Sequence, residues 1–398
     1  MKIKSSFALA LALLSLSSVS LATDGLFTSI HHQYQSPRAL GMGDAFVAVA
    51  NDYSALFYNP AGLARIEEGQ INLSIDAAVS QDFLSFQKDI QDASAVQGSD
   101  ADKAQAYIEL LQKNYGKNFS LRTGLFEAIW VRPGWGLGFI PVDLTLDMSV
   151  HNQAAPSISA RTYIDSTFAY GFAGDVKDES IAGRLSWGVT TKFVNRGYFS
   201  KDVNALDLVA DSNIVRKEDL REGYTVDADL GLLWTPYISG DGFWSLFQLA
   251  RPTFGAVLRN AAETGFGQSL KLINKDPNPT VATDPPEKLH RVLDLGTRWE
   301  YPSFWIFGGR GVMDVRDIGH PSFSARKGLH AGFEFDWAVT TWWRGQYRVG
   351  LNQGYFTAGL SALFTMLRLD AVTYGEDVGS FNFPKENRVY LVKANIDL

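Results

Sequence analysis

Residues 142–150 read VDLTLDMSV. In an extended chain, Val142, Leu144, Leu146, Met148 and Val150 share one face, and Asp143, Thr145, Asp147 and Ser149 share the other, because successive side chains point to opposite sides. The same period of two recurs in LSWGVTTKF (185–193), GYTVDADLGLLW (223–234) and GLHAGFEFDW (328–337). A helix cannot separate these residues into two faces, so the pattern predicts strands with one apolar and one polar face.

Alternation alone fits a water-soluble sandwich or a membrane barrel, which differ in what meets the apolar face. Length and spacing separate them. Strand patterns run near 70–80, 119–132, 135–150, 162–175, 183–199, 223–236, 252–262, 289–301, 304–316, 327–339, 344–352, 355–364, 366–375 and 387–397. That is about 14 strands, an even number, most of them longer than the 5–6 residues usual in globular sheets. Links after most odd strands are long, with 38 residues after the first, 23 after the fifth and 26 after the seventh. Links after even strands are mostly short: Pro133-Gly134, Pro302-Ser303 and TTWW (340–343). Alternating long loops and short turns mark an up-and-down transmembrane β-barrel. The link 237–251, with GDGFWSLFQL, is the exception and reads as an interfacial stretch. All ten tryptophans fall toward the short-turn end, as an interfacial girdle requires and a soluble core does not.

The N-terminus agrees with export. Lys2 and Lys4 precede an apolar run, FALALALLSL (7–16), and then SSVSLA. Such a run is too short for a membrane helix of about 20 residues, so residues 1–22 are expected to be a cleaved signal peptide. The chain has no cysteine, which excludes thiolate metal sites and disulfides, and its net charge of −7 with no basic tract argues against nucleic acid as a partner.

Residues 23–66 precede the first strand and lack its alternation. The stretch NDYSALFYNPAGLAR (51–65) is rich in small residues, and Asp52 or Ser54 is placed to cap a short helix ending at Tyr58. Pro60 disfavours helix at Asn59, whose side chain suits an Asx-turn. A barrel of about 14 strands is too wide to be filled by its own side chains, so this segment is expected to fold inward as a plug.

The run PRALGMGDAFVAVANDYSALFYNPAGLARI (37–66) resembles the N-terminal hatch of the FadL/TodX family of outer-membrane hydrophobic-compound transporters, and its PorV-like relatives, through Arg38, Gly41, Gly43, Ala45, Asn51, Asp52, Asn59, Pro60, Ala61, Gly62 and Leu63. GLNQGYFTAGLSALF (350–364) with LDAVTYGEDVG (369–379) also resembles that group's closing hairpins. The resemblance implies an all-β fold: a 14-stranded antiparallel barrel (67–398) plugged by a hatch (23–66) in the outer membrane of a Gram-negative-type bacterium. It implies passive uptake of hydrophobic small molecules such as long-chain fatty acids, with hatch residues Gly41, Gly43, Asn51, Asp52, Asn59, Pro60, Ala61 and Gly62 gating the lumen. It also implies sideways release of ligand at a strand kink. The glycines and proline of PGWGLGFIP (133–141), namely Gly134, Gly136, Gly138 and Pro141, are the candidates for that opening, or else for a tight turn and an ordinary bulge. PorV-like relatives serve protein secretion, so a scaffold that docks proteins and moves no small molecule is the alternative. An apolar pocket above the plug favours transport; a lumen polar throughout favours the scaffold. The implied partners are outer-membrane lipid, a hydrophobic ligand and the outer-membrane assembly machinery, although the last strand ends in Leu398 and not in an aromatic residue.

Other chemistry is weaker. There is no G-x-S-x-G elbow, and no enzymatic activity, cofactor or metal site is expected. The adjacent His31 and His32 are expected to be incidental, and the charges Asp143, Asp147, Lys192, Asp227, Asp229, Arg298, Arg310, Asp314, Glu334, Arg344 and Arg348 to line a wet lumen. The helical spacing in 87–118 predicts a helical first loop that covers the extracellular mouth.

Overall fold

In the computed structural model, the described residues are 29–152, 155–178, 180–277, 285–304, 307–340, 342–380 and 382–398. The expected signal peptide lies outside them, as does Trp305. Fourteen antiparallel strands form a closed barrel, each paired to its chain neighbours, with the first strand closing against the last. They are β1 (Gln70–Ser80), β2 (Asn118–Arg132), β3 (Trp135–His151), β4 (Ser157–Asp175), β5 (Gly183–Asn204), β6 (Arg221–Pro236), β7 (Thr253–Arg259), β8 (Val292–Phe304), β9 (Phe307–Ile318), β10 (Leu329–Ala338), β11 (Trp343–Asn352), β12 (Tyr355–Phe364), β13 (Leu367–Asp377) and β14 (Glu386–Asp397). The β1–β14 seam runs in register from Asn72 opposite Asp397 to Ser80 opposite Val389. Closure leaves no unpaired edge, which a spanning sheet cannot tolerate in hydrocarbon.

The alternation has a direction. On β10, Leu329, Phe333 and Phe335 point outward and are exposed, while His330 and Glu334 point inward and are fully buried. On β14, Tyr390, Val392 and Ile396 are exposed, while Lys393 and Asn395 are buried. This apolar-out, polar-in arrangement turns every strand into lipid-facing surface outside and a hydrogen-bonding surface inside. No helix among the described residues is long and apolar enough to cross a membrane.

Several helices interrupt the strands: α1 (Pro37–Gly41), α2 (Ala55–Tyr58), α3 (Phe83–Ser94), α4 (Asp100–Lys113), α5 (Ala205–Ala210), α6 (Phe243–Ala250) and α7 (Ala325–Gly328). The segment 87–118 is helical as its spacing predicts, but it clads the barrel's flank and does not cap its mouth. β4 and β5 have 19 and 22 residues, well beyond the 9–11 or so that cross a bilayer. Their outward residues at the loop end, Ile158, Ala160, Phe199 and Val203, pack with Tyr107, Leu110 and Leu111 of α4 and with Ala205 and Leu208 of α5. Phe86 of α3 stacks on Phe119 of β2 at 4.0 Å. Strand ends that rise above the membrane thus have their apolar face covered by helices.

Two boundaries moved for visible reasons. β7 stops at Arg259, three residues early, because Asp227 accepts the backbone N–H groups of Ala262 and Thr264 and Asn260 takes a left-handed φ of 50°. Pro302 lies within β8 and forms no turn; the β8–β9 register shifts between Tyr301 and Phe304, where a missing N–H is tolerated.

Candidate functional site

Residues 34–66 fill the barrel below its loop end. The local reason is backbone geometry at Asn59-Pro60. Asn59 is extended (φ −154°, ψ 103°), its Oδ1 accepts the Ala61 N–H at 3.1 Å, and Pro60–Arg65 continues as a 3₁₀ turn. Asn59 Nδ2 donates to the Val47 carbonyl at 2.8 Å and to the Leu232 carbonyl of β6 at 3.1 Å. One side chain therefore ties the turn to itself, to the preceding segment and to the wall. Asp52, rather than Ser54, organises the start of α2: its Oδ1 accepts the Ser54 N–H at 2.9 Å, and Ser54 makes no side-chain cap.

The wall is shaped to receive this backbone. A Cβ at Gly188 of β5 would lie 2.3 Å from the Pro60 carbonyl carbon, and one at Gly231 of β6 would lie 2.2 Å from Asn59 Oδ1. Gly255 of β7 would meet the Val47 oxygen at 2.7 Å, Gly332 of β10 the Met42 oxygen at 2.4 Å, and Gly350 of β11 the Gly43 nitrogen at 2.6 Å. Five strands thus carry a glycine at an inward position where the N-terminal backbone touches the sheet. Gly43 is itself held at φ 71°, and a Cβ there would lie 2.3 Å from the Leu351 oxygen.

Ion pairs complete the seat. Arg38 Nε and Nη2 donate to Glu334 Oε2 and Oε1 at 2.8 and 2.7 Å, and Nη1 donates to Asp52 Oδ2 at 2.7 Å and Asn51 Oδ1 at 2.9 Å. Glu334 also accepts Arg348 Nε at 2.8 Å. Arg316 pairs with Asp44 in the interior, and the Tyr58 hydroxyl donates to Asp44 at 2.7 Å. Burial pulls the Asp44 carboxyl toward neutrality, but Arg316, His32, His330 and the Tyr58 hydrogen bond together outweigh it and hold the pKa below the ordinary carboxylate value. Thr357 Oγ1 accepts the Gly43 N–H and donates to the Gly41 carbonyl, both at 3.0 Å, and Asp314 accepts the N–H groups of Phe46 and Val47. At the short-turn end, Arg65 reaches Thr235 at 2.7 Å, and the Leu63 carbonyl accepts the Gly134 N–H at 2.9 Å.

Of the eight residues singled out for gating, Gly41, Gly43, Asn59, Pro60, Ala61 and Gly62 are buried in this packing, Asp52 is half-buried and Asn51 is exposed. The four candidates for a lateral opening are divided. Gly134 sits in the β2–β3 turn at φ 85°; Gly136 and Gly138 face inward against Leu63, Leu56 and Phe57. Pro141 lies where β3–β4 pairing skips from Ile140 to Asp143. The neighbouring seams are irregular too: β1–β2 between Ser74 and Ala78, and β2–β3 between Gly124 and Ala128. Three adjacent seams thus lose regular register in one part of the wall.

Above the N-terminal segment, toward the long loops, lies a cavity of about 380 Å³. Residues 29–34 line one side; Arg161, Tyr163, Lys192, Arg196, Tyr198 and Arg259 of the wall line another; Leu289, His290 and His320 come from the loop side. An apolar pocket was expected if the chain transports; this one is amphipathic. Its rings include Tyr34, Phe57, Tyr58, Tyr163 and Tyr198, and its cations are held by acids: Lys192 to Asp229 at 2.9 Å, Arg196 to Asp165 at 2.7 Å, Arg259 to Asp294 at 2.5 Å. The physical reason is the polar-in face of the alternation.

His31 and His32 are not incidental. His31 stacks on Tyr163 at 4.0 Å and 3°, with Nε2 at 3.1 Å from Asp165, and His32 Nε2 lies 3.1 Å from Asp317. Burial lowers the pKa of His31 to about 4 despite the pull of Asp165, and burial likewise lowers His320 to about 4. No cluster of three metal-binding side chains occurs among the described residues. Sequence reading missed the partners of Arg38 and the roles of His31, His32, Arg316 and Asp44. The readable signal was the inward glycine recurring on successive strands.

No family model matches the chain, and no curated protein matches it. Solved structures do. A Pseudomonas aeruginosa FadL homologue is 12% identical, with 92% of this chain and 99% of that one covered and a TM-score of 0.40. The Ralstonia pickettii toluene transporter TbuX is 11% identical, covering 91% and 98%, at 0.45. The Pseudomonas putida toluene transporter TodX is 10% identical, covering 93% and 98%, at 0.43. These are likenesses of architecture, and the closed fourteen-stranded barrel rests on its own strand register.

Proposed function

We propose that this chain is an outer-membrane channel for passive uptake of small hydrophobic molecules, such as long-chain fatty acids, and that residues 23–66 are its hatch. The observation that carries the reading is the cavity directly above the N-terminal segment, whose rings Tyr34, Phe57, Tyr58, Tyr163 and Tyr198 suit an apolar body. An apolar solute crosses the hydrated outer surface poorly, so a lumen open to the outside and closed below gives it a landing site. Release sideways is supported by the three irregular seams between β1 and β4, with Pro141 at the β3–β4 irregularity. The solute then enters the membrane without crossing the filled lower lumen.

A second reading has its own observation. The lumen below the cavity is packed by buried ion pairs, which favours a PorV-like scaffold that moves no solute and docks other proteins. Native mass spectrometry of protein purified from membranes in mild detergent separates the two. Near one apolar acid per chain, displaced by added oleate, is the transport result. Empty protein that refuses oleate, or protein carrying stoichiometric protein partners, overturns it.

A further inference from the structure

The link 237–252 is the exception among the short-turn connections, and it is where α6 forms. Its eight residues, FWSLFQLA, hold only two polar side chains, Ser245 and Gln248. At about 100° per residue these lie on one narrow stripe, and apolar residues occupy the rest of the circumference. α6 does not enter the lumen. Phe247 packs edge-on against Trp299 at 5.6 Å, and Trp244 lies 5.7 Å from Phe247. Trp299 shares the outward parity of Leu295, which is 43% exposed on the lipid side of β8. The helix therefore rests on the outside of the barrel.

Its height is set by its neighbours. β6 ends and β7 begins at the outward pair Trp234 and Phe254, whose rings are 5.9 Å apart. Trp130, Trp187 and Trp343, also outward and exposed, lie at the same end of their strands. α6 is thus continuous with an aromatic girdle that marks the headgroup level. On α6 itself Trp244 is 56% exposed and Leu249 is 54% exposed. With Phe247 against the wall, Leu249 points away from it, about 100° around the helix from Gln248, and Ser245 lies between the two.

We infer that α6 lies in the plane of the membrane, with Leu249 in the acyl boundary of the adjacent phospholipid leaflet, Gln248 toward water and Ser245 at the boundary between them. The partner is the lipid surface. An amphipathic helix lying flat at that depth buries its apolar face without needing the length to span. The arrangement adds an in-plane anchor beside β7, the shortest strand of the barrel.

The absence of cysteine makes the test direct. Leu249→Cys, Gln248→Cys and Ser245→Cys, each in the full chain, are spin-labelled and reconstituted in phosphatidylcholine vesicles; heat-modifiable gel mobility reports the folded barrel. The expected result is a label at 249 reached several-fold more by oxygen than by a water-soluble nickel chelate, with the order reversed at 248 and the two near parity at 245. Nickel-dominated contact at all three positions places the helix in water and overturns the inference. So does dipolar broadening between labels at 249 on separate chains, which makes the occupant a second copy.

Discussion

Arg38 and Glu334 meet across the lumen as a two-pronged ion pair, with nitrogen–oxygen distances of 2.8 and 2.7 Å, joining the N-terminal segment to β10. Glu334 is fully buried, and Arg348 and Arg310 also lie within 2.8 and 3.3 Å of it. The carboxylate thus offsets three guanidinium groups in a space with little water. Its removal is expected to cost more than the removal of any one of them.

Glu334→Gln should destabilise the protein by about 3–5 kcal/mol, because it leaves buried cations uncompensated. Arg38→Met should cost about 1.5–3 kcal/mol, since Glu334 keeps two partners. Urea unfolding midpoints check the order, and limited proteolysis between residues 37 and 66 checks that the segment loosens first in Arg38→Met. Equal costs would mean that Glu334 does not hold the cluster.

Gly188→Ala should disturb the seat and spare the barrel. The added methyl would lie 2.3 Å from the Pro60 carbonyl carbon, and overpacking of this kind costs about 1–3 kcal/mol. Gly174→Ala, whose methyl has nothing nearer than 3.5 Å, is the control and should be near neutral. A raised leak of small ions in planar bilayers for Gly188→Ala alone is the expected outcome.

Deletion of residues 41–62 tests the hatch. The deleted protein should still run as a heat-resistant barrel but conduct small solutes far more than the full chain. Unchanged conductance, or loss of the whole barrel, removes the gating role.

The proposed sideways exit can be stapled. Phe126 and Val142 are register partners between the β2–β3 irregularities. Phe126→Cys with Val142→Cys, oxidised, should lower uptake of a labelled fatty acid several-fold and recover on reduction. Uptake that ignores the oxidation state places the exit elsewhere.

His31 makes the seat pH-dependent in one direction. Its pKa falls from the ordinary 6.5 to about 4 on folding, so the unfolded chain binds the extra proton first as pH drops. Stability should be flat above about pH 7, fall between about 6.5 and 4, and lose at most about 3 kcal/mol from this residue. His31→Gln should flatten that part of the pH profile of unfolding. A profile unchanged by the substitution would show that His31 is not buried as neutral imidazole.

The strands were legible because each is long and obeys one period over its whole length, and lipid outside with polar lumen inside demands that period. Leu230 with Asp229, or Phe333 with Glu334, state the face of their strand in adjacent letters. The turn at Asn59-Pro60 was legible for a local reason too, since proline restricts its predecessor. What occupies the lumen was a tertiary matter. That Arg38 meets Glu334, 296 positions away, or that Gly188 is small because Pro60 passes beside it, follows only once the sheet closes. The side of the barrel taken by α3 and α4 was decided the same way, by strand ends that outgrow the membrane and need cover. Which face of each strand is apolar can be read letter by letter along the chain; which residues share the interior cannot, because burial pairs charges by proximity in space once the barrel closes.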